Sequence, residues 1–192
     1  ALTARGKSVT SRLGDAAADG LNPAEYPVPN FAAATGPDAL AYMNRLVTRD
    51  VAKLAPGRVG YAVWCDDAGQ VVDDGTIFHL RDGVYRLCSQ ERQLDWLAAS
   101  ALGFDVAVRE ETHDVAALAL QGPTSCAVLK RLGLAGIETL KPFGIRDYAF
   151  EGDGLLVSRT GFTGDLGYEL WVDPERAVAL WDRLFDVGHP VG

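Results

Sequence analysis

Leu155-Leu-Val-Ser-Arg-Thr-Gly-Phe-Thr-Gly-Asp-Leu-Gly-Tyr-Glu-Leu-Trp-Val172 is the stretch from which the rest of the chain is read. The apolar run Leu155 to Val157 reads as a strand that breaks into a loop with glycines at 161, 164 and 167. A second strand then runs from Tyr168 to Val172. Glycine supplies the positive φ that tight loops need and lets the backbone come close to a neighbour. Alternation in the second strand sends Tyr168, Leu170 and Val172 to one face, and Glu169 with Trp171 to the other. Two readings of that carboxylate and ring stand side by side. One is an edge that holds a flat polar ligand; the other is a hairpin with a solvated Glu and a half-buried Trp.

The chain has 192 residues, 48% hydrophobic and 23% charged, enough to bury the core of one large domain or two small ones. Net charge is -8, and Lys and Arg are scattered singly, so no basic stripe exists to neutralise phosphates. This excludes nucleic acid as an expected partner. No apolar run approaches the length that spans a bilayer, and residues 1–11 lack the charged start and apolar block of a signal peptide. The expectation is a cytoplasmic protein with no membrane partner. Cys65, Cys88 and Cys126 are odd in number, widely spaced and set among apolar residues, which predicts buried reduced thiols. His79, His113 and His189 are isolated from one another, so no metal site is expected.

Residues 1–31 are rich in Ala, Gly, Asp and Pro, and read as an arm with at most one short helix. From Ala32 the pattern predicts a short strand, then Thr35-Gly-Pro-Asp38 opening a helix to about Val47. The same device returns at Ala119-Leu-Gln-Gly-Pro-Thr124, followed by a helix through Ala127, Leu129 and Leu132. Gly36/Gly122, Pro37/Pro123, Ala41/Ala127, Arg45/Arg131 and Leu46/Leu132 all match at one offset (122 − 36 = 86), which reads as an internal pseudo-repeat. Between the repeats lie strands Val59 to Cys65, Val71 to Leu80 and Val84 to Ser89, with connections short enough to force antiparallel neighbours. A helix from about Gln90 to Ala101 and strands at Asp105 to Arg109, Asp147 to Glu151 and Leu155 to Ser158 follow. Pro174-Glu175 opens a last helix with Val178, Leu180, Trp181, Leu184 and Phe185 as its apolar stripe.

Asp73 and Asp74 begin a strand otherwise made of Val, Ile, Phe and Leu, and adjacent strand residues point to opposite faces. One carboxylate at the margin of an apolar strand suits a general base or an anchor for N–H groups, and the pair equally suits an ordinary turn. Arg159 and Arg146 are candidates for an anionic group or for structural ion pairs. Trp64, Trp96 and Trp181 read as core, and Trp171 as the tryptophan best placed for a ligand because it shares the face of Glu169.

The Arg159-Thr-Gly-Phe-Thr-Gly-Asp-Leu-Gly-Tyr-Glu169 segment resembles the signature of the glycine-cleavage T-protein (aminomethyltransferase) family. Two further segments agree in order and spacing, Tyr61-Ala-Val-Trp-Cys-Asp-Asp-Ala-Gly-Gln-Val-Val-Asp-Asp74 and Ala119-Leu-Gln-Gly-Pro-Thr124. The resemblance implies an α+β fold, mostly antiparallel sheets with flanking helices in two similar units of about 32–112 and 113–192. Together these would form a folate-binding domain, 32–192, with the C-terminal domain of the family absent. It implies tetrahydrofolate as cofactor and a one-carbon transferase of aminomethyltransferase type. Asp74 matches the aspartate beside the reactive folate nitrogen, Glu169 the glutamate that holds the pterin's amide and amino edge, and Tyr61 an aromatic lining residue. Phe162 stands where the family has Tyr, and Trp171 joins the same expected site. Phe162 and the Val71-Val-Asp-Asp-Gly-Thr76 segment suit a demethylase-like or uncharacterised relative that takes its one-carbon group from a small-molecule donor, while the lack of the family's Gly-Trp segment and Asp-Val-Ser-His-like strand ahead of the first helix suits a fragment or a chain without some internal pieces. A T-protein proper would take a lipoyl carrier protein as partner. The alternative to an enzyme is a non-catalytic folate-binding module, or the folate domain of an amine dehydrogenase system.

Overall fold

The computed structural model describes residues 2–5 and 30–191, which form two compact units. One is Pro27–Thr112. The other joins His113–Gly192 to a short strand near the start of the chain, β1 (Leu2–Arg5). The arm expected for residues 1–31 lies mostly outside the described residues, but at 2–5 the backbone pairs as a strand that sequence reasoning did not anticipate.

The Pro27–Thr112 unit carries β2 (Asn30–Thr35), α1 (Ala39–Leu46), β3 (Arg58–Cys65), β4 (Val71–Arg81), β5 (Val84–Ser89), α2 (Leu94–Ser100) and β6 (Ala107–Glu110). Its sheet runs β3-β4-β5-β2-β6, antiparallel throughout. Ala62 and Trp64 of β3, Ile77 of β4, and Tyr85 and Leu87 of β5 turn to one face and bury against Ala39, Tyr42, Met43 and Leu46 of α1 and Leu97 of α2. The Tyr42 hydroxyl donates to the Leu97 carbonyl at 2.9 Å, tying the two helices over the sheet.

The second unit carries β7 (Ala116–Gln121), α3 (Ser125–Leu132), β8 (Ile145–Phe150), β9 (Asp153–Ser158), β10 (Gly167–Val172) and α4 (Ala177–Gly188). Its sheet runs β1-β7-β10-β9-β8, again antiparallel throughout. Leu118 and Leu120, Leu155 and Val157, and Tyr168, Leu170 and Val172 face α3 and α4 and bury with Val128, Leu129, Leu180 and Leu184. The alternation read from 168–172 is therefore the one the strand adopts. Each unit is a sheet with one face covered by two helices, the α+β class expected.

Inside each unit the sheet has the same plan: a three-stranded meander, then the strand that leads into the Gly-Pro turn, then an edge strand. Gly36 and Gly122 both adopt positive φ, 146° and 119°. In both, the carbonyl accepts from the amide three residues on, Ala39 at 3.2 Å and Ser125 at 3.0 Å, which starts the helix. Pro supplies the fixed φ at the next position.

Some boundaries move for identifiable reasons. The helix expected from Gln90 begins only at Leu94, because residues 89–93 are held by side chains: Asp73 accepts from the Glu91 amide at 3.3 Å, and Ser89 donates to the Glu91 carbonyl. Pro174–Arg176 forms a 3-10 turn before α4, with Asp173 accepting from the Glu175 amide at 2.8 Å. The three cysteines are thiols rather than disulfides, but only Cys88 is buried; Cys65 and Cys126 are half-buried.

The two Gly-Pro turns differ in one respect that can be measured. A Cβ at Gly36 would sit 2.5 Å from the Asp105 carbonyl oxygen, whereas one at Gly122 would meet nothing within 4 Å. Both positions carry the cost of positive φ, roughly 1–2 kcal/mol. Gly36→Ala adds an overpacking cost of about 1–3 kcal/mol. In chemical denaturation Gly36→Ala should therefore lose clearly more stability than Gly122→Ala; equal losses would show that the turn strain alone matters.

Candidate functional site

The sequence candidates fall on both units, and each group is built locally. In the Pro27–Thr112 unit, Tyr61 on β3 and Asp74 on β4 lie on the sheet face opposite α1 and α2. The register places Asp74 against Val63 and Tyr61 against Thr76, so the two side chains are diagonal neighbours. The Tyr61 hydroxyl donates to Asp74 Oδ2 at 2.9 Å. Tyr61 is 52% exposed. That hydrogen bond, with lesser contributions from desolvation and from the aspartate's charge, raises the Tyr61 phenol above its ordinary value of 10.0. It therefore stays a donor across the neutral range. Tyr61 and Asp74 thus form a fixed pair.

Asp73 does a different job one residue away. Its Oδ1 accepts from the Asp74 amide at 2.8 Å, and its Oδ2 accepts from the Glu91 amide and the Gln93 side chain, each at 3.3 Å. Gln93 in turn accepts from the Trp64 indole at 2.8 Å. Asp73 is a tie between β4 and the start of α2, on the face away from Asp74. Gly75, next in line, lies against the Cys88 carbonyl so closely that a Cβ would overlap it. These contacts hold the backbone on both sides of Asp74. Two small half-open hollows in this unit, about 10 Å³ each, are lined by β2, β5, β6 and the helices, and Asp74 does not border them. Asp74 is itself exposed, at the end of the sheet face that the helices do not cover.

In the other unit the glycine-rich loop has a clear occupant at its centre. Gln121, 8% exposed at the end of β7, donates from Nε2 to the Thr160 and Tyr168 carbonyls at 3.4 and 3.3 Å, and accepts at Oε1 from Thr163 at 3.1 Å. A Cβ at Gly161 or at Gly167 would overlap this carboxamide. Positive φ explains Gly164 (φ 74°) alone; Gly161 and Gly167 are glycine because the Gln121 side chain fills the space. The neighbour that the loop backbone approaches is the glutamine of the Ala119-Leu-Gln-Gly-Pro-Thr124 segment.

Glu169 and Trp171 share the sheet face opposite the helices. Thr160 donates to Glu169 Oε2 at 2.6 Å, Ser158 and Thr160 share a hydrogen bond of 2.6 Å, and the Trp171 indole donates to Ser158 at 3.1 Å. Trp171 is 5% exposed, so its ring is packed rather than presented. Phe162 is the opposite case, 94% exposed on the loop. Arg159 and Arg146 point their guanidinium groups at backbone carbonyls, Leu140 at 2.8 Å and Gly136 at 2.7 Å. Both read as structural. Gln121, Ser158 and Thr160 were missed in the sequence: a hydroxyl or amide at a strand end carries no signal until its partner, up to 47 residues away, is known.

The model of the family described as GCVT N-terminal domain matches residues 31–192. The aminomethyltransferase of Bacillus subtilis (strain 168) is 37% identical over 163 residues, 82% of this chain and 45% of that protein. That of Geobacillus kaustophilus (strain HTA426) is 39% identical over 158 residues, 80% of this chain and 43% of that protein. The chain thus spans less than half the length of the curated relatives it matches. Among solved structures, glycine cleavage system aminomethyltransferase T from Bartonella henselae superposes with a TM-score of 0.73 at 26% identity, covering 83% of this chain and 44% of that one. Heterotetrameric sarcosine oxidase from Corynebacterium sp. U-96 matches with a TM-score of 0.58 at 17% identity, covering 83% of this chain and 78% of that one, a likeness of fold alone.

Two measurements check the local geometry. Gly167→Ala forces the Gln121 carboxamide out of a buried, hydrogen-bonded position, at a cost of roughly 1–3 kcal/mol. In a Gln121→Ala background that cost should largely vanish; an undiminished cost would place the clash elsewhere. By NMR titration the Tyr61 phenol should titrate above 10.0 and fall back toward it in Asp74→Asn, where the full negative charge is gone.

Proposed function

From the membership of this chain in the GCVT N-terminal domain family, which the match over residues 31–192 establishes, we propose that it binds tetrahydrofolate and serves in transferring a one-carbon group to it. The observation that carries the reading is the Tyr61–Asp74 pair: an exposed carboxylate, oriented by a phenol, on a sheet face free of the unit's own helices. A carboxylate so placed is a partner for a ring N–H. Asp73, with both oxygens engaged in the fold, is not.

The residues present suit a folate. Its pterin is flat with a row of N–H donors; within the Pro27–Thr112 unit the exposed Asp74 carboxylate beside the Tyr61 ring suits a ring N–H, and within the other unit the half-buried Glu169 carboxylate suits an amide and amino edge. When bound, tetrahydrofolate supplies the nitrogen that takes up the one-carbon group. Asp74 would accept a hydrogen bond from the N–H of that nitrogen and could hold its proton. Tyr61 keeps the carboxylate oriented. Glu169 would accept from the amide and amino edge, and Phe162 is the exposed ring on the neighbouring loop. No side chain needs to bond to the transferred carbon, so the protein's share is orientation, proton handling and exclusion of water.

The donor follows from which branch of the family the whole protein serves. We propose an aminomethyl group on a lipoyl carrier protein for a glycine-cleavage role, and a small methylated donor for a demethylase-like one. Phe162 in place of the family's Tyr supports the second. A cytoplasmic location suits either. Among the described residues no helix is long and apolar enough to cross a membrane.

Asp74→Asn should leave the fold and tetrahydrofolate affinity nearly intact while lowering turnover about 10²–10⁴-fold, the range for a general acid or base. Asp73→Asn should instead lower stability, with a smaller effect on turnover per folded molecule. Equal losses of turnover from both would remove Asp74 from the chemistry. Glu169→Gln sets an amide N–H against pterin donors and should weaken tetrahydrofolate binding about ten- to a hundredfold by calorimetry. A binding module without catalysis would show the Glu169 effect and no turnover with lipoyl-bound or methylated donors.

A further inference from the structure

Trp171, Ser158, Thr160 and Glu169 form one line of hydrogen bonds whose direction the chemistry fixes. An indole N–H only donates, so Ser158 Oγ receives it at 3.1 Å. A carboxylate oxygen accepts, so the Thr160 hydrogen goes to Glu169 Oε2 at 2.6 Å. Thr160 has then spent its one hydrogen, and in the 2.6 Å contact between the two hydroxyls Ser158 must be the donor. Every hydrogen in the line points toward Glu169. Ser158 is 0% exposed, Trp171 5% and Thr160 9%, so water does not compete for these bonds. Donors in series polarise one another in such a setting. The backbone beneath is fixed as well, because Gln121 holds the carbonyls of Thr160 and of Tyr168, the residue before Glu169.

We propose that Thr160, backed by Ser158 and Trp171, is a positioning residue that sets the rotamer and plane of the Glu169 carboxylate before ligand arrives. The inference rests on the reading of Glu169 as a folate contact and adds what that reading lacks, the means by which a half-buried carboxylate is held ready. Preorganisation of this kind raises affinity by removing the ordering cost from the binding step. Trp171 in this scheme anchors the line through its N–H and does not stack on the ligand.

The test is a double-mutant cycle on tetrahydrofolate affinity, measured by calorimetry on the whole chain: Thr160→Val, Thr160→Ser, Glu169→Gln and the double variant Thr160→Val/Glu169→Gln. Thr160→Val should weaken binding by roughly fivefold or more, the scale of a hydrogen bond to a charged group. Thr160→Ser, which keeps the hydroxyl, should bind within about twofold of the unsubstituted chain. In the Glu169→Gln background Thr160→Val should add about twofold or less, because its effect passes through the carboxylate. Should Thr160→Val fail to fold, Ser158→Ala, which removes the next donor, takes its place in the same cycle. A full, additive loss in the Glu169→Gln background, or no loss from Thr160→Val, overturns the positioning role while leaving the folate reading in place. No loss from Glu169→Gln itself overturns the folate reading, and this inference with it.

Discussion

The carboxamide of Gln121 lies where two glycines leave room for it, and the loop from 160 to 167 takes its shape from that fact. A buried amide must be satisfied on both its ends or it costs on the order of 1–3 kcal/mol. Here Nε2 donates to two backbone carbonyls and Oε1 accepts from Thr163, so the loop is drawn around the side chain from both of its stems. The register of β7 with β10, Gln121 opposite Gly167, brings the glutamine to this place. One more carbon on Gly161 or Gly167 would occupy its volume. The Gly-Pro turn after Gln121 and the glycine loop after Ser158 are thus two halves of one packing arrangement, which is a physical reason for both segments to sit in the same chain.

A second constraint divides labour between adjacent carboxylates. Asp73 and Asp74 are the same residue type in the same strand, and the pleat alone separates them. Facing the helices, Asp73 meets unpaired donors at the start of α2 and satisfies them. Facing the other way, Asp74 meets a phenol that orients it and leaves it exposed. A shift of β4 by one residue would exchange the roles. Gly75 guards against that shift, because its approach to the Cys88 carbonyl tolerates no side chain.

Much of this was legible in the sequence, and what was not has a common cause. Alternation at 168–172 gave the faces of Glu169 and Trp171, and the Gly-Pro segments gave the starts of α1 and α3, because each of those signals is local. The similarity of the two turns at an offset of 86 was legible for the same reason. The late start of α2 was not, since the donors of residues 91–93 are captured by Asp73 from β4, eighteen and twenty positions away. Nor was the role of Gly161 and Gly167, where the sequence suggests backbone conformation and the structure shows volume. Residue type announces a conformational preference; it does not announce which distant side chain needs the space.

The same distinction bears on how the aromatic residues near Glu169 divide. Trp171 shares the carboxylate's face, and on that ground alone it looks suited to stack on a flat ligand. Burial and a satisfied N–H instead make it the fixed end of a line of donors, since a ring 95% withdrawn from solvent has little face to offer. Phe162 has the face but lacks the hydroxyl, and its ring stands in solvent on a loop that Gln121 holds at both stems and at Thr163. The proposed contacts at this end of the sheet therefore differ in exposure: the carboxylate and its hydroxyl line are set in the strands, and the ring stands in solvent on the loop.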